Sequence, residues 1–415
     1  MVLNYIWISF FIIAFLVALA KTFMGNLEIF SLVVNSIFER AELGFKLSLG
    51  LTGIMALWLG IMRIGEKGGA VNILSKAFAP LFNKLFPEIP KDSKAHGSII
   101  MNISANMLGL DNAATPLGLK AMAELQKHNK EKERASNAQI LFLVLNTSGL
   151  TLIPTSIIAL RATAMADNDI IGNPTDIFIP ILIATYCSTL AGLIFVSIIQ
   201  KINLFQKTVL AYLGSATAII GGLVWYLAMH KQHIEVISSI VSGAFIFGFI
   251  ISFILLGLKN KINIYEEFVE GAKDGFNVAV KIIPYLIAML CAIGAFTTSG
   301  AMQFIIGGID SFFSLFLSDT RFVEALPTAI MKPLSGGGAR GMMVESWGEN
   351  AININSFVGK LTSTLQGSTE TTFYVLAVYF GSVGIKNTRY AIVAGLFADL
   401  IGVIAAIVIA YLFWG

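Results

Sequence analysis

Two polar stretches in an otherwise apolar chain carry the residues best suited to bind a solute. The first, Asn102 to Met122 (NISANMLGLDNAATPLGLKAM), offers Asn106, Asp111, Asn112 and Thr115, with Gly109 and Pro116 set to interrupt a helix. The second, Lys332 to Glu345 (KPLSGGGARGMMVE), offers Lys332, Ser335, Gly336, Gly337, Gly338 and Arg340. A broken helix frees backbone groups and exposes helix ends whose dipoles hold ions or charged solutes. Three glycines let backbone N–H groups approach a ligand, and Lys332 with Arg340 would neutralise an anion. Two plainer readings stand beside these: Asp111 and Asn112 capping a helix in water, and Arg340 paired with Glu345 as a structural bridge.

Each stretch is followed by an apolar run with a polar patch at its centre. In the first half the patch is Asn146, Thr147 and Ser148; in the second it is Gln366, Ser368, Thr369 and Glu370. Membrane-helix hydroxyls often bond only to a nearby carbonyl, so Ser and Thr alone say little. An ionisable group inside a span is costly, so Asp111, Glu370 and, with less weight, Asp399 are candidates for a coupling cation or proton.

The elements that hold these residues are helices crossing a bilayer. The 415 residues are 56% hydrophobic and 13% charged, against about 25% charge in a soluble domain. The expected fold is an all-α polytopic membrane protein with about nine spans: Tyr5 to Met24, Leu43 to Met62, Ala138 to Leu160, Ile177 to Ile199, Thr208 to Met229, Val236 to Leu258, Val278 to Thr297, Leu361 to Val383 and Tyr390 to Phe413. Two re-entrant hairpins, Ser98 to Glu124 and Phe322 to Glu345, would join them, with Gly69 to Phe86 and Ala301 to Leu317 lying at the interface. The first span lacks a basic region before it and is read as a retained helix.

A sparse internal repeat orders this list. Ala41, Gly44 and Phe45 match Ala272, Gly275 and Phe276, and Gly69 matches Gly300, all 231 positions on; Leu145 and Ser148 match Leu365 and Ser368; Gly192 matches Gly402. The loop Asp167 to Asp176 is acidic, whereas Lys201, Lys207, Lys259, Lys261 and Lys273 mark basic loops, which places the first outside and the others in the cytoplasm. The charges then run oppositely in the two halves. The expected units are residues 1–36, an N-terminal helix; 37–200, the first repeat; 201–262, a two-helix linker; and 263–415, an inverted second repeat. The N-terminus falls in the cytoplasm and the C-terminus outside, in the cell's inner (plasma) membrane.

With these motifs quoted, a resemblance follows. NMLGLDNAATPLGLKAMAELQ and LNTSGLTLIPTSIIALRA resemble spore maturation protein A; KPLSGGGARGMMVE and GSTETTFYVLAVYFGSVGIKNTRYAIVAGLFADLIG resemble spore maturation protein B. Nearly the whole chain is thus similar to a fusion of that pair, within the nucleoside-recognition or gate family. That name is shared with segments of concentrative nucleoside transporters and ferrous-iron transport proteins. In the nucleoside transporters, two re-entrant hairpins and the partly unwound helices after them bind substrate. The resemblance implies the same role for residues 106–115 with 146–148 and 332–340 with 366–371. Spore maturation proteins are linked to spore core dehydration and cortex, and a related gate protein handles dipicolinate.

The expected function is a secondary-type transporter of a small polar or anionic metabolite, nucleoside-like or dicarboxylate-like. A membrane scaffold for envelope or spore maturation and a passive channel are the alternatives. Expected partners are the lipid bilayer, the solute and a coupling cation or proton, with a homo-oligomer left open. No Walker motif is present, and His96, His128, His230 and His233 show no ligand spacing. No enzyme activity, cofactor, metal or nucleic-acid partner is expected.

Overall fold

In the computed structural model the described residues are 2–90, 92–107, 111–229 and 234–415; Gly109, His230 and His233 lie outside them. The regular elements among these residues are all helices, without a β-strand. In chain order the helices are α1 (Val2–Phe23), α2 (Ile29–Lys67), α3 (Ala70–Leu85), α4 (Lys94–Met107), α5 (Asp111–His128), α6 (Asn137–Thr147), α7 (Thr155–Asp167), α8 (Phe178–Gln200) and α9 (Lys207–Met229). They continue with α10 (Ile234–Lys259), α11 (Ile264–Ser299), α12 (Ala301–Phe313), α13 (Leu326–Met331), α14 (Gly336–Ser346), α15 (Phe357–Gly367), α16 (Thr372–Ser382) and α17 (Ala391–Trp414).

Six described helices are long and apolar enough to cross a membrane, seven if α11 and α12, bent by 69°, count as one span. Two of the nine expected spans are not continuous. Ala138 to Leu160 is divided into α6 and α7, and Leu361 to Val383 into α15 and α16. The cause in the first is local. Gly149 adopts a left-handed φ of 51°, and Pro154 has no N–H to give to a continuing helix. The span expected at Val278 to Thr297 is only the C-terminal part of the 36-residue α11.

Small residues set how the long helices pack, and the contacts repeat between the halves. A Cβ on Gly44 of α2 would lie 3.1 Å from Ile287 on α11, and one on Gly275 of α11 would lie 2.5 Å from Ala56 on α2. Gly275 and Ile287 stand 231 positions after Gly44 and Ala56, so each contact is the other's image. Arg63 over Gly271 and Arg40 over Gly294 obey the same exchange. In α8 and α17 a Cβ on Gly192 would meet Ala398 at 3.1 Å, and one on Gly402 would meet Ser188 at 3.1 Å. The pairs are self-complementary, the signature of a twofold relation. The ends of α6 and α15 also correspond. Both helices have 11 residues and are N-capped by a serine, Ser136 and Ser356. Gly69 and Gly300, at φ of 84° and 94°, turn the chain from α2 into α3 and from α11 into α12.

Candidate functional site

The two breaks meet. Glu370 N–H, in the segment between α15 and α16, donates to Thr147 O at the end of α6 at 2.8 Å. The approach is close enough that a Cβ on Gly149 would stand 2.7 Å from Glu370 Cγ. Glycine suits this position both by its positive φ and because a Cβ would press on the Glu370 side chain. The Glu370 side chain is exposed although its backbone lies at this crossing.

A helical hairpin closes on each break. In the first half, α4 and α5 pack together, and Met107 O at the end of α4 accepts from Leu152 N–H in the break at 3.0 Å. Asn106 Nδ2 donates to Asn146 Oδ1 at 2.8 Å, while Asn146 Nδ2 donates to Phe142 O. In the second half, α13 and α14 pack together, and Pro333 O accepts from Phe373 N–H at 3.0 Å. Gln366 Nε2 donates to Gly336 O at 3.3 Å. Each hairpin tip is thus stitched by a carbonyl to the broken helix behind it, which satisfies backbone groups that the break would otherwise leave unpaired.

Ser335 caps α14, its Oγ accepting from Gly338 N–H at 3.0 Å. The Gly336 and Gly337 N–H groups precede the first intrahelical bonds and give this end its partial positive charge. Lys332, just before it, is only 7% exposed. Asp399 on α17 is 3% exposed; Thr372 Oγ1 donates to its Oδ2 at 2.7 Å, and its Oδ1 has no hydrogen-bond partner. The opposite charge of Lys332 and the like charge of Glu370 both act on Asp399. Thr369, in the segment between α15 and α16, is also buried.

Not every residue singled out in the sequence converges here. The hydroxyls of Thr147, Ser148 and Ser368 bond back to Val144 O, Leu145 O and Leu365 O, as ordinary helix hydroxyls do. Arg340 is half-buried on α14, and Glu345 has a different partner from the one the bridge reading gives it. It is paired with Arg40 of α2, at 2.9 Å. Thr115 is half-buried on α5; Asp111 and Asn112 open that helix, and their side chains are outside the described ones. No group of three or more His, Cys, Asp or Glu among the described residues could hold a metal.

Residues not singled out as candidates in the sequence also hold these elements together. Asn102, fully buried, donates to Ala114 O at 2.7 Å and holds α4 to α5. Tyr379 of α16 lies beside it, Asn102 Nδ2 reaching its hydroxyl at 3.4 Å. Asn102 sits in the first polar stretch and was legible as an anomaly, whereas a tyrosine in the apolar run after Glu370 gives no signal. Arg161, fully buried on α7, donates to Asp176 at 3.0 Å and to Ile354 O at 3.0 Å, and Lys360 reaches the same Asp176 at 3.2 Å. An arginine inside an apolar run was the signal available for that cluster.

Broken helices, hairpins closing on them and long apolar helices around them define a multi-pass membrane protein. The family model described as Gate, nucleoside recognition, matches twice, over residues 48–164 and 279–386, more than half of the chain. The chain belongs to that nucleoside-recognition (Gate) family. It is 40% identical over 191 residues to spore maturation protein A of Bacillus subtilis (strain 168), covering 46% of this chain and 92% of that protein. It is 46% identical over 162 residues to spore maturation protein B of the same organism, covering 39% of this chain and 88% of that protein.

Proposed function

We propose that the chain is a secondary-type transporter of a small polar or anionic metabolite, nucleoside-like or dicarboxylate-like, bound where the two breaks cross. The observation that carries this reading is the joining of two hairpin tips to two broken helices around an exposed Glu370. Backbone irregular at membrane depth needs a reason, and lining a solute cavity is one. In this scheme the hairpins are re-entrant and approach from opposite faces, α2 to α8 and α11 to α17 form inverted units, and α9 and α10 link them. The α14 N-terminus, Lys332 and Arg340 would neutralise the solute, and rocking of one part against the other would expose the site alternately. Residues 1–36 add a helix outside the repeats, with the N-terminus cytoplasmic and the C-terminus outside the plasma membrane.

Purified protein in liposomes should take up members of a panel of nucleosides and small carboxylates. Glu370→Gln should change the ion or pH dependence of uptake by about tenfold, the effect of roughly 1.4 kcal/mol, without loss of folded protein. A panel that yields neither uptake nor thermal stabilisation would favour a scaffold, and a steady conductance without coupling would favour a channel. Cysteine labelling tests the orientation: position 169 should react from outside and position 130 from the cytoplasm.

A further inference from the structure

Arg40 of α2 and Glu345 of α14 are 305 positions apart, and their contact ties α2 to the second hairpin. Arg40 Nη2 donates to Glu345 Oε1 at 2.9 Å, and Arg40 Nε stands 2.9 Å from Oε2. The side chains are 20% and 14% exposed, and neither Nε nor Oε2 has a hydrogen-bond partner elsewhere. A glycine makes the reach possible. A Cβ on Gly294 of α11, the helix packed against both α2 and α14, would stand 2.6 Å from Arg40 Cγ. The arginine stem thus crosses α11 in a notch.

Beside the pair, the contact of the hairpin with α11 is apolar. Met289 and Ile293 of α11 cluster with Met331 of α13 and with Ala339 and Met342 of α14. Methionine side chains adapt to shifted neighbours, so this face resists separation but tolerates sliding. A charge-assisted contact is directional and does not. The other half shows that the notch alone creates no such tie. Arg63, in the corresponding notch over Gly271, directs its guanidinium to Glu267 at 2.8 Å and Asp274 at 3.6 Å, both on α11. Arg63 binds the helix it crosses, whereas Arg40 passes that helix and reaches a hairpin. Arg40 lines a cavity of about 790 Å³ and Glu345 lines another of about 610 Å³, so both partners have room to part.

We propose that Arg40 is a positioning residue: through Glu345 it holds the second hairpin against α2 and α11, and parting of the pair frees that hairpin to uncover the candidate site. The inference rests on the solute site placed where the two breaks cross. Gly336 and Glu345 lie on the one helix α14, about 14 Å apart at 1.5 Å per residue. A pivot that separates Glu345 from Arg40 therefore moves the glycine end as well.

The test is the reactivity of a cysteine at the hairpin tip, read on the full chain in detergent, where both faces are open to reagent. Cys187 and Cys291 are replaced by alanine, and Gly337→Cys is introduced where a Cβ meets only Ser335 Oγ, at 3.9 Å. Arg40→Gln and Glu345→Gln should each raise the rate of reaction with a water-soluble maleimide about tenfold, which loss of a hydrogen bond to a charged group suffices to produce. The double variant should add nothing to either, because both remove the same contact. Gly294→Ala, which keeps both charges but crowds the Arg40 stem, should raise the rate too, and Arg40→Lys, which keeps a cation, should raise it less. These two decide the matter should the glutamine variants fail to fold. Ala159→Cys on α7, at a position 0% exposed, is the reference for general loosening and should react at the same rate with and without Arg40. An unchanged rate at position 337, or an equal rise at positions 337 and 159, reduces the pair to a structural contact and overturns the proposal. In liposomes the sidedness of labelling tests the transporter reading separately. Reaction at position 337 from the cytoplasm alone would break the assigned orientation, while the detergent rates still decide the role of Arg40.

Discussion

Two seams join the halves, and they are built from corresponding segments by opposite means. In one, the loop between α7 and α8 meets the residues leading into α15. Asp176 receives Arg161 at 3.0 Å and Lys360 at 3.2 Å, and Asn355 donates to Ile171 O. In the other, the loop between α16 and α17 meets the residues leading into α6. Ala135 N–H donates to Asn387 O at 2.9 Å, and Lys386 N–H and Asn387 N–H both donate to Glu133 O. The ion pair there, Lys386 with Glu133, is 75% and 68% exposed, while Arg161 is 0% exposed. A shared architecture thus fixes where the halves touch but not what the contact is made of. One seam is held by charges withdrawn from water, the other by main chain with a solvated pair on top.

That difference predicts unequal sensitivity. The largest effect should come from Arg161→Met, which leaves Asp176 buried with one cation fewer and orphans Ile354 O. Breaking a buried pair costs about 3–5 kcal/mol. Thermal unfolding of the purified protein followed by tryptophan fluorescence should register it. If the variant unfolds with the wild-type protein, the buried seam contributes no more than the exposed one and the comparison fails. Lys360→Met should cost less, about 1.5–3 kcal/mol, the usual worth of a hydrogen bond to a charged group. Arg161 still serves Asp176 in that variant. Lys360 also lies 5.3 Å from the Trp414 ring, a contact a methionine side chain partly replaces.

Composition alone made the helical membrane class legible, and the paired polar stretches pointed to the segments that meet at the two breaks. The repeat could be found from glycines because close helix contacts tolerate little else: Gly44 with Gly275 and Gly192 with Gly402 occupy corresponding contacts. Continuity of the spans was not legible. Hydrophobicity summed over Ala138 to Leu160 ignores one left-handed glycine and one proline, and those two residues end a helix. The partner of Glu345 was hidden for a different reason. Sequence spacing favours a neighbour such as Arg340, whereas α11, packed on both α2 and α14, brings Arg40 of α2 to Glu345 from 305 positions away. Asp399 carried less weight among the ionisable candidates because a place near the cytoplasmic helix end or a pairing with a Lys would explain it; its hydrogen-bond donor, Thr372, comes from another element.

The smallest effect should come from Lys386→Ala at the exposed seam. The side-chain pair is solvated on both partners, and exposed ion pairs add little because water screens them and ordering two long side chains opposes the gain. At about 0.15 M salt the Debye length is roughly 8 Å, which weakens the pair further. The substitution keeps the backbone N–H of residue 386, so both donors to Glu133 O and the Ala135 bond to Asn387 survive. Arg389 also remains, donating to Ala135 O at 3.0 Å and to Asn137 at 2.9 Å. Unfolding should therefore match the wild-type protein, and adding salt should change the two equally. A loss as large as that of Arg161→Met would mean that this face is covered in the assembled protein. A second copy of the chain would then be the first candidate for the cover, tested by whether the loss disappears on dilution to the monomer.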